Sequence, residues 1–172
     1  MTTTDDRPDF VIVGSGMGGA TLAHALAPTG ARILVLERGD HLAESRKARD
    51  LRAIFQRGVY RSGERWYDAD GAAFAPGNFY YVGGNSKFYG AVMYRYRRED
   101  FSARAHPEGE TVSWPFPYEE LEPWYGRAEA LYRVRGATGI DPTDPPRSTD
   151  FPYPPVPHEP QIADAAERLR RQ

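Results

Sequence analysis

Apolar positions along the 172-residue chain change their period several times, and each change marks an element. From Asp9 to Val13 the run is continuous and β-branched, the pattern of a buried strand. Glycines follow without a spacer. Ala20, Leu22, Ala23, Leu26 and Ala27 then recur at helical spacing up to Pro28, with Gly30 as the stop. A second apolar run, RILVLE from Arg32 to Glu37, completes a β-α-β unit over residues 9–37. Its size suits a parallel pair joined by a right-handed crossover.

Beyond Gly39 the alternation of strand and helix weakens. Residues Asp50 to Gln56 predict one short helix, with Leu51, Ile54 and Phe55 on one side. Asp70-Gly71, between Trp66-Tyr67 and Phe74, is a hairpin signal. Asn78 to Phe101 alternates aromatic and small residues with polar ones around a second glycine pair, Gly83-Gly84. Composition alone fits equally a backbone packed on a flat ring or an aromatic-rich strand and turn in a core.

The last third separates into a helix, a track and a helix. Leu121, Trp124, Tyr125, Ala128, Leu131 and Tyr132 follow an i, i+3, i+4, i+7 series that predicts an aromatic stripe in a core or domain interface. Pro123 is expected in the first turn of that helix and Gly136 at its stop. From Asp141 to Pro160 the density of proline excludes helix and central strand, leaving an extended, polyproline-like track. Ile162, Ala165, Ala166 and Leu169 then predict a short amphipathic helix.

Charge and composition narrow the chemistry. A formal net charge of −2 offers no basic field for nucleic acid. Arginines gather near Arg95, Arg97 and Arg98 and again between Arg46 and Arg65, but Glu44, Asp50, Glu64, Glu99 and Asp100 are interleaved, so a solvated, ion-paired face is expected. With no cysteine, the chain has no disulfide, thiolate metal site or thiol nucleophile. His24, His41, His106 and His158 show no metal-ligand spacing and are expected at the surface. No signal-peptide core or membrane-length apolar run is present, so a cytoplasmic protein without a membrane partner is expected.

The glycines are spaced Gly14-x-Gly16-x-x-Gly19 between strand and helix. In that context the first serves a tight turn, the second the approach of a diphosphate, and the third close helix–strand packing. Free amides and the positive helix end stabilise the phosphate charge. Glu37 ends the second strand, where its carboxylate is placed to accept from the hydroxyls of an adenosine ribose and to disfavour a 2′-phosphate. NAD and FAD share this fingerprint, and these residues do not separate them.

Gly14-Ser15-Gly16-Met17-Gly18-Gly19, Glu37-Arg38-Gly39 and above all YYVGGNSKFYGAVMYRYRREDF resemble the glucose–methanol–choline (GMC) family of flavin oxidoreductases. The stretch from Trp114 to Gly136 resembles the segment that follows in its bacterial members. The resemblance implies an α/β fold: a Rossmann-like FAD-binding βαβ core, incomplete here, with irregular aromatic-rich and proline-rich extensions. It implies that Gly14, Ser15, Gly16, Met17 and Gly19 lie at the FAD diphosphate and that Glu37 and Arg38 meet the adenosine. Gly83, Gly84, Asn85 and Ser86 would run beside the diphosphate and ribityl chain. Where some members carry a histidine bonded to the flavin, this sequence has Phe88, so FAD is expected to be non-covalent. Asn85 and Tyr89 stand where others have serine and asparagine, and Tyr89 is given no role.

The resulting organisation is a FAD-binding portion over 1–101 (with a flavin-loop segment at 78–101), a helical segment towards a substrate domain over 102–136, and a strap and terminal helix over 137–172. The family's base, a histidine late in a much longer chain, has no counterpart here, so no catalytic or metal residue is assigned. The expectation is the amino-terminal portion of a FAD-dependent oxidoreductase acting on CH–OH groups of an alcohol, sugar or choline-like substrate, inactive alone, with a second polypeptide as the candidate partner to complete the fold. The alternative is a non-catalytic Rossmann-like module that binds a partner through its prolines. An NAD-dependent dehydrogenase is weakened by the Gly83–Ser86 loop standing where further nucleotide-fold strands belong.

Overall fold

The computed structural model describes residues 7–88 and 92–171, so Tyr89 and the centre of the 78–101 segment lie outside the described residues. The chain divides into two compact units, one up to Ala91 and one from Val92 on.

In the first unit, β1 (Phe10–Val13), α1 (Met17–Leu26) and β2 (Ile33–Leu36) form the expected β-α-β unit. The strands are parallel, with Phe10 opposite Ile33 and Val13 opposite Leu36. Asp9 fixes the register from outside. Its carboxylate accepts from the Arg32 amide at 2.8 Å and from the Arg32 guanidinium, while its own amide donates to the Arg32 carbonyl. A single parallel bridge, Asp40 to Tyr81, continues beyond β2. Of these strand residues only Ile12 is buried, and Val13 is 84% exposed, so the β-branched runs leave apolar surface open.

The predicted hairpin is present as β3 (Trp66–Tyr67) and β4 (Ala73–Phe74), closed by Asp68 through its bonds to the Asp70 and Ala72 amides. The short helix at 52–56 is a π-helical turn, in which the Arg57 amide reaches the Arg52 carbonyl. Widening the turn rotates the side chains. Ala53 and Ile54 are buried, whereas Leu51 and Phe55, expected on the same side as Ile54, face solvent. Ile54, Phe79 and Phe88 form the core of this unit, with Leu42, Tyr60 and Tyr81 packed around them. Phe88 lies 4.6 Å from Phe79 and stacks on Tyr60 at 5.2 Å between centroids.

The second unit contains a small hairpin that the sequence pattern did not reveal, β5 (Ala105–His106) with β6 (Gly109–Glu110). Its helix α2 (Tyr118–Tyr132) starts earlier than expected, so Pro123 sits in the helix interior and removes one main-chain bond there. Glu119 and Glu120 in the first turn complement the positive helix end and help to set this start. Its end comes before Gly136, at Arg133, whose left-handed backbone (φ 55°) allows the Val134 amide to reach back to the Glu129 carbonyl.

The inward side of α2 also differs from expectation. Trp124 is 59% exposed, and Tyr118 and Glu129 are the buried residues. The cause is Arg95, expected on a solvated face but buried instead. A buried guanidinium requires acceptors. It donates to both oxygens of Glu129 at 2.8 Å, to Glu122 at 2.9 Å and to the Tyr118 hydroxyl at 3.1 Å. These bonds hold the guanidinium above the ordinary arginine pKa despite its burial, and Glu122, which also accepts from the Ser148 amide, is lowered to about 2. Arg97 and Arg98 do lie outside, paired with Asp141 and Glu119.

The proline track carries no helix or strand between 141 and 159 apart from the bridge of Tyr153 to Arg135. Tyr118 donates to the Pro146 carbonyl at 2.7 Å, and Arg147 pairs with Glu129. Pro160, counted with the track in the sequence, is the first residue of α3 (Pro160–Arg170), where a missing N–H costs no helical bond.

Candidate dinucleotide site

The turn between β1 and α1 is built as its glycine spacing requires. Gly14 has φ +91°, a conformation that side chains rarely adopt, and its amide donates to the Leu36 carbonyl at 2.7 Å. A Cβ at Gly19 would strike the Gly14 carbonyl oxygen and come within 3.1 Å of the Ile12 side chain, so this glycine lets helix meet strand. Around Gly16 and Gly18 the opposite holds, since a Cβ there would meet nothing within 4 Å. Gly16 caps α1 without a side-chain acceptor, and the first amides of the helix lack intrahelical partners. Open space beside unfilled donors is what a diphosphate needs.

Glu37 turns its carboxylate onto this loop. One oxygen accepts from the Ser15 amide at 2.9 Å and the Ser15 hydroxyl at 2.6 Å. The other accepts from the Arg38 and Gly39 amides at 2.8 and 3.2 Å. The hydroxyl and amide of Ser15, followed by the amide of Gly39, depress its pKa to about 2. Four donors match the acceptor capacity of a carboxylate. A ribose hydroxyl bonding here therefore shares or replaces one of them.

The second glycine pair lies against the first, although 68 residues separate Ser15 from Gly83. The Gly83 amide donates to the Ser15 hydroxyl oxygen at 2.8 Å, and a Cβ on Gly84 would meet the Gly16 Cα at 3.8 Å. Gly39 makes the approach possible, because a Cβ there would collide with the Tyr80 carbonyl and stand 2.6 Å from the Tyr81 amide. The other loop side chains shape the turn itself. Asn85 accepts from the Phe79 amide at 2.9 Å, and Ser86 donates to the Gly83 carbonyl at 2.6 Å.

The Arg38 guanidinium carbon lies over the Tyr80 ring, 3.8 Å from its centroid, and Arg38 pairs with Glu64, which also accepts from the Tyr80 hydroxyl. Tyr80, Glu64 and Gly39 thus belong to the site without having been singled out as binding residues. Gly39 was quoted only as part of the Glu37-Arg38-Gly39 motif. Met17 opens α1 beside the turn and is 40% exposed. Among the described residues no group of three or more His, Cys, Asp or Glu could hold a metal, and no helix is long and apolar enough to cross a membrane.

A β-α-β unit with this turn and a terminal acid defines a Rossmann-like dinucleotide-binding fold, and the family described as NAD(P)-binding Rossmann-like domain matches residues 12–69. Three known proteins are similar over most of the chain. The 2-methyl-1,2-propanediol dehydrogenase of Mycolicibacterium austroafricanum is 32% identical over 91% of this chain and 30% of its own length. The gluconate 2-dehydrogenase flavoprotein of Pantoea cypripedii is 27% identical over 86% of this chain and 31% of its own. The crystal structure of pyridoxine 4-oxidase from Mesorbium loti superposes with a TM-score of 0.51 at 20% identity, over 83% of this chain and 27% of that one, and shows the shared fold. The chain is homologous to the amino-terminal part of the GMC-type oxidoreductases. It spans about a third of the length of these relatives.

Proposed function

We propose that this chain supplies the FAD-binding portion of a GMC-type oxidoreductase acting on the CH–OH group of an alcohol or sugar. The juxtaposition of the two glycine loops through Ser15 carries this reading. A first loop alone serves any adenine dinucleotide, whereas a second glycine loop laid beside it suits a cofactor that continues past its diphosphate. Similarity to a gluconate dehydrogenase flavoprotein points the same way.

In this proposal the diphosphate lies against the turn from Gly14 to Met17, held by the amides of Gly16 and Met17 and the positive end of α1, and Gly19 keeps the helix close enough to do so. Glu37 and Arg38 meet the adenosine, Glu37 as ribose acceptor and Arg38 through the free face of its guanidinium above Tyr80. Gly83, Gly84, Asn85 and Ser86 line the path onward. The bound flavin supplies the hydride acceptor, and the protein binds and orients it. Phe88, packed in the aromatic core, leaves the flavin untethered. No residue of this chain is assigned the proton transfer, and the open apolar surface of β1 and β2 suits a further polypeptide segment completing the sheet.

Titrating the folded chain with FAD, NAD and NADP, read by flavin and tryptophan fluorescence, tests the proposal. FAD should bind in preference to both nicotinamide cofactors, and acid precipitation should leave all flavin in the supernatant. Tighter binding of NAD would move the chain to the dehydrogenase reading. No binding by a folded chain would favour the partner-binding module.

A further inference from the structure

Ser15 occupies an unusual position in the hydrogen bonding of the first unit. Its hydroxyl has one proton, given to Glu37 Oε2 at 2.6 Å, and its oxygen receives the Gly83 amide at 2.8 Å. Its own amide goes to the same Glu37 oxygen at 2.9 Å. One side chain therefore joins three segments distant in sequence: the turn before α1, the end of β2 and the second glycine loop. The carboxylate is fixed from its other side by the Arg38 and Gly39 amides, so the joint is anchored rather than free to swing. A charged acceptor polarises the hydroxyl and strengthens its acceptance of the Gly83 amide.

The segment that leads into the second glycine loop is held separately, by the bridge of Tyr81 to Asp40 and the Val82 amide donating to the Asp40 carbonyl at 3.1 Å, but these bonds stop short of the glycine turn itself. Gly83 has φ +95°, and Ser86 Oγ, which donates to its carbonyl, belongs to the same turn and does not bridge to the first loop. The nearest approach of Gly84 to the first loop is the 3.8 Å separation of its would-be Cβ from the Gly16 Cα, a van der Waals distance without directional preference. Among the described residues, the directional bond between the two glycine turns themselves is the one that Ser15 accepts from Gly83.

We propose that Ser15 is a positioning residue that locks the second glycine loop to the first, so that both halves of an extended dinucleotide site are aligned before a ligand arrives. This rests on the FAD-binding reading above, and adds that affinity for the part of the ligand beyond the adenosine diphosphate depends on a side chain of the first loop. Alanine at 15 removes both side-chain bonds. Threonine keeps the hydroxyl.

The test uses the full chain in three forms: wild type, Ser15→Ala and Ser15→Thr. Amide hydrogen exchange at Gly83 reads the joint without any ligand. Binding of ADP, which reaches only the first loop, is compared with binding of FAD, which reaches both. Ser15→Ala should speed Gly83 exchange by roughly 3- to 10-fold, as loss of one hydrogen bond implies. It should weaken FAD by a larger factor than ADP, and Ser15→Thr should restore both. A merely structural role would weaken the two ligands equally, and that result overturns the proposal. Unchanged Gly83 exchange in Ser15→Ala overturns it as well, whatever binds. Faster Gly83 exchange in a chain whose wild type binds neither ADP nor FAD would sink the dinucleotide reading and leave the joint standing.

Discussion

Arg95 and Glu129 face each other through two parallel hydrogen bonds of 2.8 Å, with side chains only 4% and 6% exposed. Arg147 adds a second guanidinium to the same carboxylate. Removing one partner of a buried pair strands the other, at a cost of about 3–5 kcal/mol. Glu129→Ala is therefore expected to lower the unfolding free energy of the second unit by that amount, read from the shift of its urea midpoint. Arg98→Ala, which breaks the exposed pair with Glu119, should cost about 0–1 kcal/mol. Equal effects of the two substitutions would contradict the buried network.

The glycines of the first turn are expected to separate fold from binding. Gly19→Ala drives a methyl group into the Gly14 carbonyl, so the β-α-β unit should lose its native circular dichroism. Gly16→Ala meets nothing in the protein and has φ −65°, so the unit should stay folded while the new methyl group stands where a diphosphate would approach. Loss of FAD binding in a folded Gly16→Ala chain, measured by fluorescence titration, is the expected outcome.

Acid should weaken both units over a defined window. Glu37 and Glu122 are each lowered from 4.5 to about 2 in the folded state, Glu37 chiefly by the Ser15 hydroxyl and Glu122 by the Ser148 amide. A group depressed on folding contributes stability that is complete above its unfolded pKa and disappears as pH falls through the folded one. The contribution is therefore expected to be constant above about pH 5 and to decline between 4.5 and 2. Glu37→Gln should flatten this slope for the first unit, as followed by urea midpoints at successive pH values. A decline confined to pH above 6 would assign the effect to other groups.

Phe88 is buried against Phe79 and Tyr60, so truncating it leaves a void in the core of the first unit. Phe88→Ala is expected to destabilise the first unit by about 3–5 kcal/mol. Phe88→Leu should cost clearly less. Chemical denaturation read at the aromatic circular-dichroism band distinguishes them.

Short-range pattern and stereochemistry were sufficient for much of this protein. β-branched runs ending in Gly14-x-Gly16-x-x-Gly19 left one local solution, a strand turning into a helix, and the matching run before Glu37 supplied the parallel partner. The Asp70-Gly71 hairpin and the proline track followed from backbone constraints that act within a few residues. Tertiary structure decided what depends on neighbours distant in sequence. That Glu37 would bond to Ser15, or that Ser15 would receive Gly83, depends on how the chain returns after 68 residues. Likewise Arg95 among acids reads as a surface charge until α2 folds over it. Its desolvation then selects the carboxylate side of the helix for burial and leaves Trp124 outside. Local periodicity reports which faces are apolar. Only the packed chain reports which buried charge must be answered, because that requirement is set by partners brought from elsewhere.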